Sequence, residues 1–163
     1  MDYMKILMDS DCLIKLTKSG LKESICKKDE VTIPFVVKQE VVDAGKSKGF
    51  PDAELVEKNI QRGILRVTVA GKSGSTVPTR GDQALIETFH LGGYDMIATD
   101  DVKLIRSLKS IGIRWTLPGL LIYSLYQRKN IDKATGLDWL EKLSSLISED
   151  EYSMVRLLLE ERS

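Results

Sequence analysis

Short apolar runs alternate with stretches of helical period along this chain. Met4-Lys5-Ile6-Leu7-Met8 is apolar and stops at Asp9, which predicts a buried strand. Leu13, Ile14 and Leu16, followed by Gly20, predict a short helix with a stop signal, and Leu21 to Lys28 predicts a further helical turn or two. Val31-Thr32-Ile33 is the second strand. Pro34 stands where a first helical residue is tolerated, and it opens a helix over Phe35 to Ala44 that Gly45 ends. Pro51 starts another, to about Gln61, with Gly63 as its cap. Ile64 to Val69 alternates and is rich in Val and Ile, the pattern of a third strand. Gly71-Lys72-Ser73-Gly74-Ser75-Thr76 reads as a flexible loop. Asp82 to Leu91 is helical and is closed by Gly92-Gly93. Met96-Ile97-Ala98-Thr99 is a fourth strand ending at Asp100-Asp101. Val102 to Ser110 is a helix with Leu104, Ile105 and Leu108 inward, closed by Gly112. Ile113-Arg114-Trp115 is a fifth strand. Three helices finish the chain, about Pro118 to Arg128, Asp132 to Leu146 and Glu149 to Glu161.

Strands alternating with helices mean βαβ units and a mostly parallel sheet, hence an α/β protein. A length of 163 residues suits one domain with a sizeable core. No repeat or linker splits it. Residues 1–116 are expected to form the sheet-bearing core and residues 117–163 the helices packed on it. The charges are balanced, 24 basic against 24 acidic, which excludes a strongly basic nucleic-acid coat and leaves room for a local patch. No apolar run approaches the roughly 20 residues that cross a bilayer, and Met1 to Leu7 lacks the pattern of a signal peptide. A cytoplasmic home is expected, with no membrane partner. Cys12 and Cys26 have no metal-ligand spacing and read as small apolar residues, and His90 is the only histidine. A Cys/His zinc site and a Ser-His or Cys-His mechanism have little footing. Carboxylates and lysines must carry any chemistry.

In parallel sheets ligands bind outside the carboxyl ends of the strands. Asp9 and Asp11 follow the first strand, and Asp100 and Asp101 follow the fourth. Glu40 lies in the helix after strand two, and Asp82 opens the helix leading into strand four. Neighbouring strands are only about 4.8 Å apart, so Asp9 and Asp100/Asp101 converge if their strands pair. Like charges in one cleft repel, and a divalent cation removes that cost. Hard oxygen ligands select Mg2+ or Mn2+. Each residue also has a plainer role. Asp9 can end a strand, Asp100 can cap the next helix, and Thr79-Arg80-Gly81-Asp82 has a capping-box pattern. Glu40 is harder to explain so, because a carboxylate on so apolar a helix needs a partner or a cation. Gly71-Lys72-Ser73 is rejected as a phosphate loop, since Arg66 stands where the first glycine belongs. Lys15, Lys18, Lys22, Lys27 and Lys28 form a basic cluster, either a solvated helix face or a phosphate track beside the acids. Trp115 and Trp139 read as packing residues. Met154, Val155, Leu157, Leu158 and Leu159 read as core or as a contact surface.

Four motifs in register now resemble the PIN domain. They are Leu7-Met8-Asp9-Ser10-Asp11-Cys12-Leu13-Ile14 at the end of strand one, Ile33-Pro34-Phe35-Val36-Val37-Lys38-Gln39-Glu40-Val41 after strand two, Gly81-Asp82-Gln83-Ala84 at a helix start, and Thr99-Asp100-Asp101 after strand four. They span nearly the whole chain. The tail, Ile111 to Leu121 and then Lys129-Asn130-Ile131, resembles a prokaryotic subgroup described as predicted nucleic-acid-binding proteins or VapC-like toxins. The resemblance implies a three-layer α/β/α PIN-like fold around a central, mostly parallel five-stranded sheet. It implies an acidic set of Asp9, Glu40, Asp82 and Asp101, with Asp100 sharing the last role and Asp9, Asp82, Asp100 and Asp101 as metal ligands. Ser10 and Thr99 would support the site by hydrogen bonds. Asp11 stands where relatives carry Ser or Asn, and Asp82 where Glu is also common. Lys15, Lys18, Lys72 and Arg80 would be the nucleic-acid contacts.

The implied activity is metal-dependent endoribonuclease action on single-stranded or structured RNA with Mg2+ or Mn2+, in the manner of a toxin. An antitoxin protein and a second copy of the chain would be its partners. One alternative is a PIN-fold protein that binds nucleic acid without cutting it. Another is a haloacid-dehalogenase-type phosphatase using Asp9 and Asp11, against which Glu40 and Gly81-Asp82 have no place and no cap domain is evident. A receiver domain wants a lone Asp ending strand three, where the chain reads Val67-Thr68-Val69-Ala70-Gly71.

Overall fold

A computed structural model describes residues 3–69 and 81–161. Five strands form one all-parallel sheet: β1 (Lys5–Met8), β2 (Glu30–Pro34), β3 (Arg66–Thr68), β4 (Met96–Ala98) and β5 (Trp115–Thr116). Their order is β3-β2-β1-β4-β5, so β1 is central and the connections run outward on either side of it. β1 reads as an unbroken apolar run because both of its faces are buried. Ile6 and Met8 face one side of the sheet and Leu7 the other, as the period of two requires.

Those two sides define the layers. Leu7 and Ile97 pack with Leu85 of α6 (Gly81–His90) and with Leu104 and Leu108 of α7 (Val102–Ile111). Ile6, Met8 and Val31 pack with α1 (Ser10–Lys18), α2 (Lys22–Cys26), α5 (Pro51–Gln61) and α8 (Pro118–Gln127). The result is the three-layer α/β/α arrangement. α9 (Lys133–Leu143) and α10 (Glu149–Glu161) add a smaller core of Leu140, Val155 and Leu159 beside α8. Among the described residues, no helix is long and apolar enough to cross a membrane.

Several elements depart from their sequence reading. Pro34 is not a first helical residue but closes β2 with an extended backbone, and the helix begins at Phe35 as its pattern predicts. Gly45 does not stop that helix. It runs as α3 (Phe35–Lys38), a π-helical turn (Gln39–Asp43) and α4 (Ala44–Ser47), and Gly45 is buried inside it. A Cβ there would lie 3.0 Å from the Ala53 Cβ, so glycine is kept for close helix packing. The turn away is made by Gly49, whose φ is +75°. Ile105 is only half buried on α7. The basic cluster does not stay together as one solvated face. Lys22 is 4% exposed and its Nζ has no hydrogen-bond partner, while Lys27 and Lys28 line a hollow with Tyr3 at the other end of β2. Of the terminal apolar residues, Val155 and Leu159 are buried, and Met154 and Leu157 are exposed.

Candidate active site

β1 and β4 pair directly, with Met8 opposite Ala98, so the residues that follow them share one end of the sheet. This is where connections leave in opposite directions, the place where open α/β sheets gather ligands. Asp9 comes first off β1. Its N–H donates to the Ala98 carbonyl at 3.2 Å, continuing the ladder one step beyond the strand. Its carboxylate then caps α1: Oδ1 accepts from the Cys12 N–H at 2.9 Å. Oδ2 accepts from the Thr99 hydroxyl. Asp9 is only 8% exposed. Burial pushes its pKa up to about 6. The Thr99 and Cys12 hydrogen bonds pull against that shift, and the charges of Asp11 and Asp100 add to it.

Thr99 links the two strand ends. Its N–H donates to the Thr116 carbonyl at 2.9 Å, and its hydroxyl accepts the Asp101 N–H at 3.0 Å while donating to Asp9. Asp101 caps α7, with Oδ1 accepting from the Leu104 N–H at 2.9 Å. The capping role expected of Asp100 therefore belongs to Asp101. Asp100 instead forms an ion pair with Lys15 of α1. Burial lowers the affinity of Lys15 for its proton, and the charges of Asp100, Glu151 and Asp11 outweigh that, so its pKa is raised.

The third strand end contributes through the π turn. A π turn inserts an extra residue into a helix and is found at functional sites more often than elsewhere. Here it carries Glu40, whose Oε2 accepts from the Ser10 hydroxyl at 2.7 Å. Glu40 is exposed, and the partner that its place on an apolar helix calls for is the Ser10 hydroxyl. Gly81 lies close by: a Cβ on it would come 3.2 Å from Glu40 Oε1. That approach sets the start of α6, and with it Asp82, beside Glu40. Asp82 and Asp11 are exposed. Ser10, Asp9, Thr99, Asp100, Asp101 and Glu40 are thus joined through Ser10, Thr99 and the chain itself, with Lys15 as the cation among them. Lys18 lies further along α1. Lys72 and Arg80, like Thr79 and the Gly71–Thr76 loop, fall outside the described residues.

Glu151 escaped the sequence reading. It is 6% exposed, and its Oε2 accepts from the Gly119 N–H at 2.8 Å, near the start of α8. Burial raises its pKa, the Gly119 bond opposes that, and Asp100 and Lys15 act on it with opposite signs. Ser148-Glu149-Asp150-Glu151 looks like an ordinary capping box, and Ser148 Oγ does accept the Glu151 N–H at 3.1 Å. The available signal was Gly119 just after Pro118, a helix start whose missing Cβ leaves room for another chain segment.

The donor set is all oxygen, which suits a hard divalent cation and no soft one. Among the described residues, no three Asp, Glu, His or Cys side chains already form one metal-binding group. Cys12 and Cys26 are free and buried, and burial pushes both thiols up, Cys26 to about 12, which leaves them inert. Fold and site together define an α/β protein with an acidic centre at the switch point of a parallel sheet. Compared with known proteins, the chain matches no family model and no curated protein.

Proposed function

We propose that this protein is a metal-dependent endoribonuclease of the PIN kind. The observation that carries the reading is the convergence of Asp9 with Thr99-Asp100-Asp101 across paired parallel strands, with Glu40 tied to the same place by Ser10. Asp9, Asp82, Asp100 and Asp101 would hold Mg2+ or Mn2+. When bound, the cation supplies charge neutralisation at the scissile phosphate and activation of a water.

The chain's own groups do the rest. Thr99 and the Cys12 N–H fix the orientation of the Asp9 carboxylate, and Ser10 fixes that of Glu40. Glu40, exposed and aimed by one short hydrogen bond, is suited to accept a proton from the attacking water. Lys15 offsets the repulsion among Asp100, Glu151 and Asp11, and its ammonium would be the group at the site able to pair with a phosphate oxygen. The resemblance adds a toxin role, an antitoxin and a second copy of the chain as partners, and a cytoplasmic home.

Purified protein with a labelled RNA pool tests this, in magnesium, in manganese and in chelator. Asp9→Asn is expected to lower metal-dependent cleavage by at least a hundredfold while the circular dichroism spectrum is unchanged. Cleavage at the wild-type rate in that variant, or cleavage indifferent to chelator, would sink the reading.

A further inference from the structure

Glu40 also borders a second space. A cleft of about 400 Å³ opens between α1, the helix over 35–47 and the start of α5. Ile14, Val41, Ala44 and Ala53 make its wall apolar. Phe50 stands at the cleft with 57% of its surface exposed, which for a phenyl ring forfeits the burial that drives folding. It is held there by the chain. Gly49 turns with φ +75°, the Phe50 N–H donates to the Gly45 carbonyl at 2.9 Å, and Pro51 begins α5 at once. Lys18 and Lys48 also line the space, and neither forms an ion pair among the described residues. Asp52 adds a carboxylate acceptor.

An exposed aromatic on a fixed backbone, an apolar wall, two cations without an ion pair among the described residues and one acceptor are what a nucleotide requires. The base stacks on the ring, the phosphate meets the lysines, and a base N–H finds a carboxylate. The volume lies in the range of small-ligand pockets. We propose that the cleft is a nucleobase subsite for single-stranded RNA, holding a nucleotide that flanks the phosphate presented to the carboxylates. The nuclease reading supplies the direction of the strand, and the subsite itself is tested without catalysis.

The test is binding of a fluorescent RNA hexamer to the full chain in chelator, by anisotropy, with 2-aminopurine at each position in turn. Phe50→Ala is expected to weaken binding by about 5- to 150-fold, the cost of losing one base–aromatic stack, and Phe50→Trp to preserve it. A hexamer with an abasic site at the quenched position is expected to bind wild type and Phe50→Ala alike. Lys18→Gln with Lys48→Gln is expected to reduce the slope of log K against log salt by about 1.4, two contacts on a single strand. Equal affinity of Phe50→Ala and wild type overturns the proposal, and so does a wild type that binds no hexamer. A dimer that Phe50→Ala converts to monomer also overturns it, by showing that a second copy fills the cleft. Unchanged binding in Phe50→Ala alongside cleavage lost in Asp9→Asn removes the subsite and leaves the nuclease standing. Binding that depends on Phe50 without any metal-dependent cleavage does the reverse.

Discussion

At the scale of single residues, Asp9 carries two demands that conflict. It is buried and capped as a structural residue, yet the proposed nuclease would need it charged to hold a cation. Its folded pKa of about 6 lies above the ordinary 3.8, so the native state binds the proton more tightly than the unfolded state. Stability therefore falls as pH rises through that window, and the full cost is in place above about pH 6. A shift of about 2 units corresponds to at most about 3 kcal/mol. Asparagine keeps an acceptor for Cys12 and has no charge to bury. In chelator at neutral pH, Asp9→Asn is expected to be about 1–3 kcal/mol more stable than wild type, several degrees in Tm, with a flatter stability profile between pH 4 and 6. Thermal unfolding across that pH range checks it. A variant less stable than wild type at neutral pH would show that the carboxylate is not strained by burial. The identity of this residue was legible in the chain, as an acid directly after an apolar strand. Its partner Thr99 was expected to support it from the resemblance, but the ion pair of Asp100 with Lys15 was not, because in the chain Lys15 is one of five lysines and only the packing of α1 beside the end of β4 selects it.

At the scale of elements, boundaries set by glycine and proline followed local rules except where packing overrode them. Gly112 closes α7 with φ +76°, as its position predicts. Gly45 and Gly119 serve instead as places where two elements touch. A Cβ on Gly119 would lie 3.0 Å from both Glu151 Oε2 and Val155 Cγ2. Gly119→Ala is expected to cost about 1–3 kcal/mol by overpacking the α8–α10 contact, although alanine is the better helix former. Urea unfolding measures it. An unchanged midpoint would mean that α10 moves aside freely. The π turn at Glu40 is the other departure. Periodicity marks a helix over these residues but cannot register one extra residue, because the apolar positions Val37, Val41 and Val42 satisfy either pattern.

At the scale of the whole molecule, the three terminal helices join the sheet through α8, whose Leu121, Ile122 and Leu125 lie in the core with Ile6, Met8 and Val31. Glu151 meets the start of α8 near the acidic site. At the other end of the sheet, Arg128 makes two hydrogen bonds to Asp29, at 2.8 and 2.7 Å, and Asp29 also accepts the Met4 N–H at 2.8 Å. The Asp29 side chain has no exposed surface. Breaking a buried pair leaves an uncompensated charge, so Arg128→Ala is expected to lose about 3–5 kcal/mol, on the order of 10 °C in Tm. The loss should appear as one cooperative transition if helices and sheet unfold together. A separate early transition of the terminal helices would show that residues 117–163 are a weakly coupled addition.

The sequence by itself determined which segments are strands and which acids follow them, because apolar runs, helical period and turn residues act between neighbours in the chain. It also determined that chemistry here would fall to carboxylates, since one histidine and two buried cysteines leave little else. Only the tertiary structure decided that β4 lies beside β1, and so that Asp9 meets Thr99. Only it decided that Lys15 answers Asp100 and that Glu151 reaches Gly119. Strand order and the partner of a buried charge follow from how whole faces pack and exclude water, and no local pattern of residues encodes which distant segment completes a face.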